Sequence, residues 1–215
     1  MKNISILTFI LLVGTLYSCS DDQQPTTPNN LKDDGISTPH ESIIAGSTEH
    51  VHYELIHDSI SSTGKENQPS NRATKNYDLN ADGKDDVTFA TMGGGGTGGW
   101  AVTSYFMPLD SNEVVITSCN FTDLKSKDAP LGIEEDIVID DTQNFKKYPY
   151  NYGEGYEISF DGSSTKMNCW GNDVYHYIGV KITNTEIPEY AWIKVAINTT
   201  PNKTTTYIES FGSRQ

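Results

Sequence analysis

The chain has 215 residues, with 15 Lys and Arg against 29 Asp and Glu and a formal net charge of -14. That length suits one domain of ordinary size with a sizeable core, or at most two small ones. The acidic balance excludes nucleic acid and anionic lipid surfaces as natural partners, because both favour a basic face.

Met1-Lys2-Asn3 is a short basic start, and Ile4 to Val13 is an apolar run. The run is too short to span a bilayer and long enough for the core of a signal peptide. Leu16-Tyr17-Ser18-Cys19 follows it and resembles a bacterial lipobox. The resemblance implies that residues 1–18 are removed and that Cys19 becomes a lipid-carrying N-terminus. The alternative is an ordinary secreted protein cut nearby. A lipidated chain meets the membrane through its acyl chains, at ~0.8 kcal/mol per buried CH₂.

Ser20-Asp21-Asp22-Gln23-Gln24 comes next. It resembles the surface-export signal of Bacteroidota lipoproteins, which implies a domain displayed on the outer face of the outer membrane. Residues 19–40 are rich in Pro, Asp, Asn, Gln and Thr and nearly free of apolar side chains. They cannot bury enough surface to fold and read as a disordered N-terminal tether. Its reach is about 25 Å.

From residue 41 to 215 the pattern is short strands between turn clusters. Val51, Tyr53 and Leu55 alternate with His50, His52 and Glu54, the period-two mark of a half-buried strand. His50, His52 and Glu54 would share the opposite face; a His-x-His pair can ligate zinc only with ligands from elsewhere, and the other reading is solvent-facing histidines. Asp58-Ser59-Ile60 resembles the short site at which Bacteroidota proteins carry O-linked glycans. Ser61 to Asn76 is polar and interrupts the strand pattern.

Asp78-Leu79-Asn80-Ala81-Asp82-Gly83-Lys84-Asp85-Asp86 is the most informative stretch. Side-chain oxygens recur at Asp78, Asn80, Asp82 and Asp86, and the Lys84 carbonyl fills the gap. A loop that wraps Ca²⁺ needs oxygens at positions 1, 3, 5 and 9, a main-chain carbonyl at 7, and Gly at 6 for the turn. Position twelve is Phe89, where an EF-hand places a bidentate Glu, and the following Val87 to Met92 is β-rich. The loop resembles the calcium loops of FG-GAP and thrombospondin type 3 repeats, which implies a structural ion. The alternative is an Asp/Gly-rich hairpin turn without an ion.

Gly93 to Gly99 has no Lys-Ser/Thr end and no helix after it, so phosphate-loop chemistry fails. It reads as a mobile loop, or as a backbone that lets a ligand approach Trp100. Trp100–Met107, Glu113–Cys119, Asp136–Ile139 and Tyr156–Phe160 read as strands. Val174–Thr183, Tyr190–Asn198 and Thr204–Phe211 close the chain as three more. Ile178, Val180 and Ile182, then Ile193, Val195 and Ile197, are expected to supply much of the core. Tyr177-Ile178-Gly179-Val180 and Tyr190-Ala191-Trp192-Ile193 resemble a strand pair near the end of many secreted bacterial β domains. No window carries a capped 3.6-residue period. The fold expected is all-β: an antiparallel β-sandwich, jelly-roll or lectin-like.

Cys119 and Cys169 remain after Cys19. In an oxidising compartment they are expected to form a disulfide, the alternative being two separate buried thiols. No Ser nucleophile elbow, His-Glu-x-x-His or supported Cys–His pair is present. The function expected is a cell-surface lipoprotein with a calcium-stabilised, non-catalytic module that contacts a glycan or surface protein. Twelve Tyr and three Trp supply stacking surfaces for such a contact. The alternative is a glycan hydrolase using a carboxylate pair drawn from Glu134, Glu135, Asp136, Asp140 and Asp141.

Overall fold

The computed structural model describes residues 42–119, 127–149, 155–162 and 166–214. The Cys19 lipobox and the 19–40 tether lie outside them. Fourteen strands and no helix form among the described residues. β1 is Ser42–Ile44, β2 His52–Thr63, β3 Asn71–Tyr77, β4 Val87–Gly96 and β5 Gly99–Pro108. β6 is Glu113–Cys119, β7 Lys127–Pro130, β8 Val138–Asp140, β9 Phe145–Lys147 and β10 Tyr156–Gly162. β11 is Lys166–Asn168, β12 Tyr175–Ile182, β13 Glu189–Thr200 and β14 Lys203–Ser213.

They pair antiparallel into two main sheets. One runs β11-β10-β5-β4-β3; the other runs β2-β14-β13-β12-β6-β7, with β9 also on β6. A two-stranded ribbon, β1-β8, pairs with neither. The main sheets meet face to face as a β-sandwich. Val87, Phe89, Phe106 and Ile158 of the first sheet pack with Ile178, Val180, Ile182, Ile193, Val195, Ile197, Ile208 and Phe211 of the second. The aliphatics expected from the closing strands are all fully buried. Each contributes about 1.5–3 kcal/mol on leaving water.

The sandwich interior changes character along its length. Toward the β4-β5 hairpin, hydroxyls replace the aliphatics. Ser104 bonds Thr204 at 2.7 Å and Thr206 at 3.2 Å, Ser159 bonds Thr199 at 2.8 Å, and Ser62 donates to the Thr91 carbonyl at 3.0 Å. Small hydroxyl side chains let the sheets close together there while keeping their polar atoms paired. The glycine run belongs to the same end, and it is not a mobile loop. Gly93–Gly96 finish β4 and pair with β5 as far as Gly99. A Cβ on Gly93 would sit 2.3 Å from the Thr63 carbonyl oxygen, and one on Gly95 would sit 2.3 Å from that of Lys65. The run exists because another backbone crosses it in contact.

A second, smaller core lies on the outer face of the larger sheet. Ile43 and Ala45, with Ile139 from β8, cover Val115, Tyr177, Tyr190 and Trp192 there. Elsewhere that face carries exposed aromatic side chains, Tyr175 and Tyr207 among them. Tyr53 and Leu55 emerge on it at 41% and 54% exposure, opposite to the burial expected from their alternation. The buried face of β2 instead carries Ile56 and Ile60, against the main core. His50 precedes the strand at φ 56°, a left-handed turn that takes it out of line with His52 and Glu54.

Candidate metal centre

The loop 78–86 joins β3 to β4, and its acidic side chains wind it. Asp78 Oδ1 accepts the Asp82 N–H at 3.2 Å, and Asp78 Oδ2 accepts the Gly83 N–H at 2.7 Å. Asn80 Oδ1 also accepts from Asp82, at 3.2 Å, and Asp82 Oδ1 accepts the Lys84 N–H at 2.8 Å. Such nested Asx turns are what alternating Asp and Asn side chains do in a tight bend. Gly83 takes φ 87° and Ala81 φ 61°, so the chain reverses twice within three residues. Glycine is at ease there; alanine is not.

Two contacts seat the loop on the sandwich. Asn80 Nδ2 donates to Glu189 at the start of β13, at 3.4 Å. Asp86 is fully buried. Its Oδ2 accepts the Leu79 N–H at 2.8 Å and its Oδ1 accepts from Asn112 Nδ2 at 3.0 Å. Its own N–H donates to the Tyr77 carbonyl at 2.8 Å. Burial pushes the Asp86 carboxyl above the usual carboxylate range. The Leu79 and Asn112 donors oppose that rise, and the charges of Asp78 and Asp82 add to it.

The donor set is oxygen only, as a hard cation requires: Asp78, Asn80, Asp82, Asp86 and the Lys84 carbonyl. Asp78, Asn80 and Asp82 are brought together through the shared amides of the loop. An ionised carboxylate offers about four lone-pair positions, so one amide at each oxygen leaves acceptor capacity. Asp86 is turned toward Leu79 and Asn112 instead. No group of three or more His, Cys, Asp or Glu side chains gathers as a metal-holding cluster among the described residues. The donors fit the chemistry of Ca²⁺.

Cys119 and Cys169 are bridged, with Cα atoms 5.7 Å apart. Four of the acidic residues around β8 are engaged by a neighbour. Glu134 faces His176 Nδ1 at 3.5 Å, and Glu135 bonds the Tyr177 hydroxyl. Asp140 accepts the Thr142 N–H and hydroxyl at 2.8 and 2.6 Å, and Asp141 pairs with Lys181. Asn112 had no sequence signal. It lies 26 residues from Asp86, in an ordinary turn between β5 and β6, and only the fold joins them.

No family model matches this chain, and no curated protein or solved structure is significantly similar to it.

Proposed function

We propose that the protein is a lipid-anchored lipoprotein of the Bacteroidota outer membrane, displayed at the cell surface as a non-catalytic binding or structural module. One Ca²⁺ braces its β-sandwich, held by Asp78, Asn80, Asp82, Asp86 and the Lys84 carbonyl. The observation that carries the reading is the loop itself. Alternate oxygen donors are already wound by their own amides, and the loop's last residue is clamped in the core. Ion binding draws repelling carboxylates together, so it is coupled to local folding. The anchor and the surface position rest on the Cys19 lipobox and the acidic residues after it.

Calorimetric titration of Ca²⁺ into the purified full chain tests the brace, with a single site expected. Asp82→Ala is expected to remove both the heat and the sensitivity of melting to chelator. Identical melting of the unaltered protein with and without chelator would overturn the ion. Protease treatment of intact cells tests display: a protected domain would place it on the periplasmic side.

A further inference from the structure

We propose that a cleft on the open outer face of the larger sheet, between Tyr175 and Tyr207, binds a single neutral pyranose ring. His57 and Glu209 would hold its hydroxyls. The site deepens the reading of the protein as a binding module and rests on it.

The cleft is made by two irregularities in neighbouring strands. Against β14, the register of β2 places Ile56 and His57 opposite Glu209 alone. Against β13, the register of β14 shifts at the same Glu209. His57 sits in the bulge at φ 49°, a left-handed conformation that a non-glycine residue adopts at a cost. Bulges re-aim side chains and concentrate beside functional sites. Here their joint effect is to bring His57 Nδ1 within 3.3 Å of Glu209 Oε2 on the outer face. The Tyr175 hydroxyl reaches the same carboxylate from the other side.

The aromatic walls follow from register. Tyr207 and Tyr175 both pair with Ala196 of β13, so they flank it in one row across three strands. Only the Ala196 methyl stands between them in that row. They are 37% and 44% exposed, far more than tyrosines in a folded core. The open depression holds about 190 Å³, bounded also by Asp58, Ser59 and Ile208. That is below the roughly 300–1,000 Å³ of a site for a drug-sized molecule.

The charges point to a neutral ligand. Asp58 is paired with Lys75 at 2.9 Å, and Glu209 is hydrogen-bonded to His57. Lys194 lies over the Tyr175 ring, 5.6 Å from its centroid. The Asp58–Lys75 pair cancels, and Glu209 and Lys194 bring opposite signs to the same face, so neither a cation nor an anion meets a one-signed site there. A sugar ring presents a C–H face to an aromatic ring and hydroxyls that both donate and accept. A carboxylate accepts the strong, charge-assisted bonds from such hydroxyls, and an imidazole nitrogen can take either role.

The test is an NMR titration of the full chain with methyl β-D-glucopyranoside, methyl β-D-galactopyranoside and methyl α-D-mannopyranoside. At least one is expected to shift the amides of His57, Ser59, Tyr207 and Glu209, with a Kd in the millimolar range. Tyr207→Ala and Glu209→Gln are each expected to weaken binding about tenfold or more. Both positions are on the surface, and an unchanged melting temperature verifies folding. No shift with any of the three sugars would overturn the site, as would shifts unaltered in both variants. Shifts confined to another surface would overturn this cleft and leave the module reading standing. Calcium-dependent melting of the same samples reads the brace separately.

Discussion

Asn112 holds Asp86 twice, donating from its side-chain nitrogen to the carboxylate at 3.0 Å and to the backbone carbonyl at 3.3 Å. Its own side-chain oxygen accepts the Thr183 N–H at 2.9 Å. Asp86 precedes β4 of the smaller sheet, Asn112 precedes β6 of the larger one, and Thr183 follows β12. One buried amide therefore ties the acidic loop to both layers of the sandwich. The loop is not an appendage of the sandwich.

Replacing Asp86 with Asn is expected to destabilise the fold by about 1–3 kcal/mol, the cost of leaving a buried donor unmet. Two N–H donors face this carboxylate, and an Asn offers them one oxygen. Asn112 cannot simply turn over, because its oxygen is committed to Thr183. Chemical unfolding of Asp86→Asn against the unaltered protein measures the difference.

Without added calcium, the pH dependence of stability has a defined sign. Burial raises the folded Asp86 pKa, while the unfolded value is about 3.9. The folded chain therefore binds more protons between those two values, and stability falls as pH rises through that window. Asp58 and Asp141 act in the other direction. Lys75 and Lys181 hold them below the ordinary range, so their contribution is present above about pH 3.9 and is lost as pH falls further. Urea midpoints across mildly acid pH are expected to decline upward through the Asp86 window in the unaltered protein and to flatten there in Asp86→Asn.

The proposed Ca²⁺ is expected to reverse that slope. The ion favours the ionised carboxylates, so binding strengthens as pH rises through the same window. At free Ca²⁺ about 100 times Kd, the stabilisation is about 2.7 kcal/mol. Thermal melts at neutral pH, with and without excess Ca²⁺, are expected to differ by several degrees. The Asp82→Ala melts are expected to coincide.

Much of this fold is written in local patterns. Ile193, Val195 and Ile197 alternate, and their strand is buried on that face as the period requires. The Asx turns of the loop follow from Asp and Asn at every second position. What was not legible came from contacts between distant segments. Tyr53 and Leu55 alternate as well as any core strand, yet they face outward, because β2 packs its other face, with Ile56 and Ile60, on the main core. His57 and Glu209 are 152 residues apart, and only a register shift in two strand pairs brings them together. Asn112 needs the whole sandwich before it meets Asp86.

Removing the Cys119–Cys169 bridge is expected to cost about 2–4 kcal/mol. The residues are 50 apart in sequence, so the crosslink constrains a substantial part of the unfolded chain. Both sulfurs also pack beside Phe160 and Ala129, so a Cys→Ser pair adds two hydroxyls to an apolar site. Cys→Ala at both positions isolates the crosslink. Denaturation of that variant, compared with the unaltered protein in reductant, is expected to give nearly the same midpoint.

The glycine run offers the sharpest contrast within a few residues. A methyl group at Gly93 would meet the Thr63 carbonyl oxygen at 2.3 Å, and one at Gly95 would meet that of Lys65 at the same distance. Neither obstacle is the end of a flexible side chain. Relief requires the segment from Thr63 to Ser70 to lift off β4. That movement breaks the Gly95 N–H bond to Gln68 and disturbs the Asn71 contact with Gly93. Overpacking of this kind costs about 1–3 kcal/mol or more. Gly96 and Gly98 face open space, with no atom within 4 Å of the added carbon and no left-handed φ. Alanine there is expected to be neutral or slightly stabilising, through the unfolded chain. If Gly93→Ala and Gly95→Ala melt with Gly96→Ala and Gly98→Ala, the backbone crossing is absent in solution, and the run is the loose loop that its composition suggests.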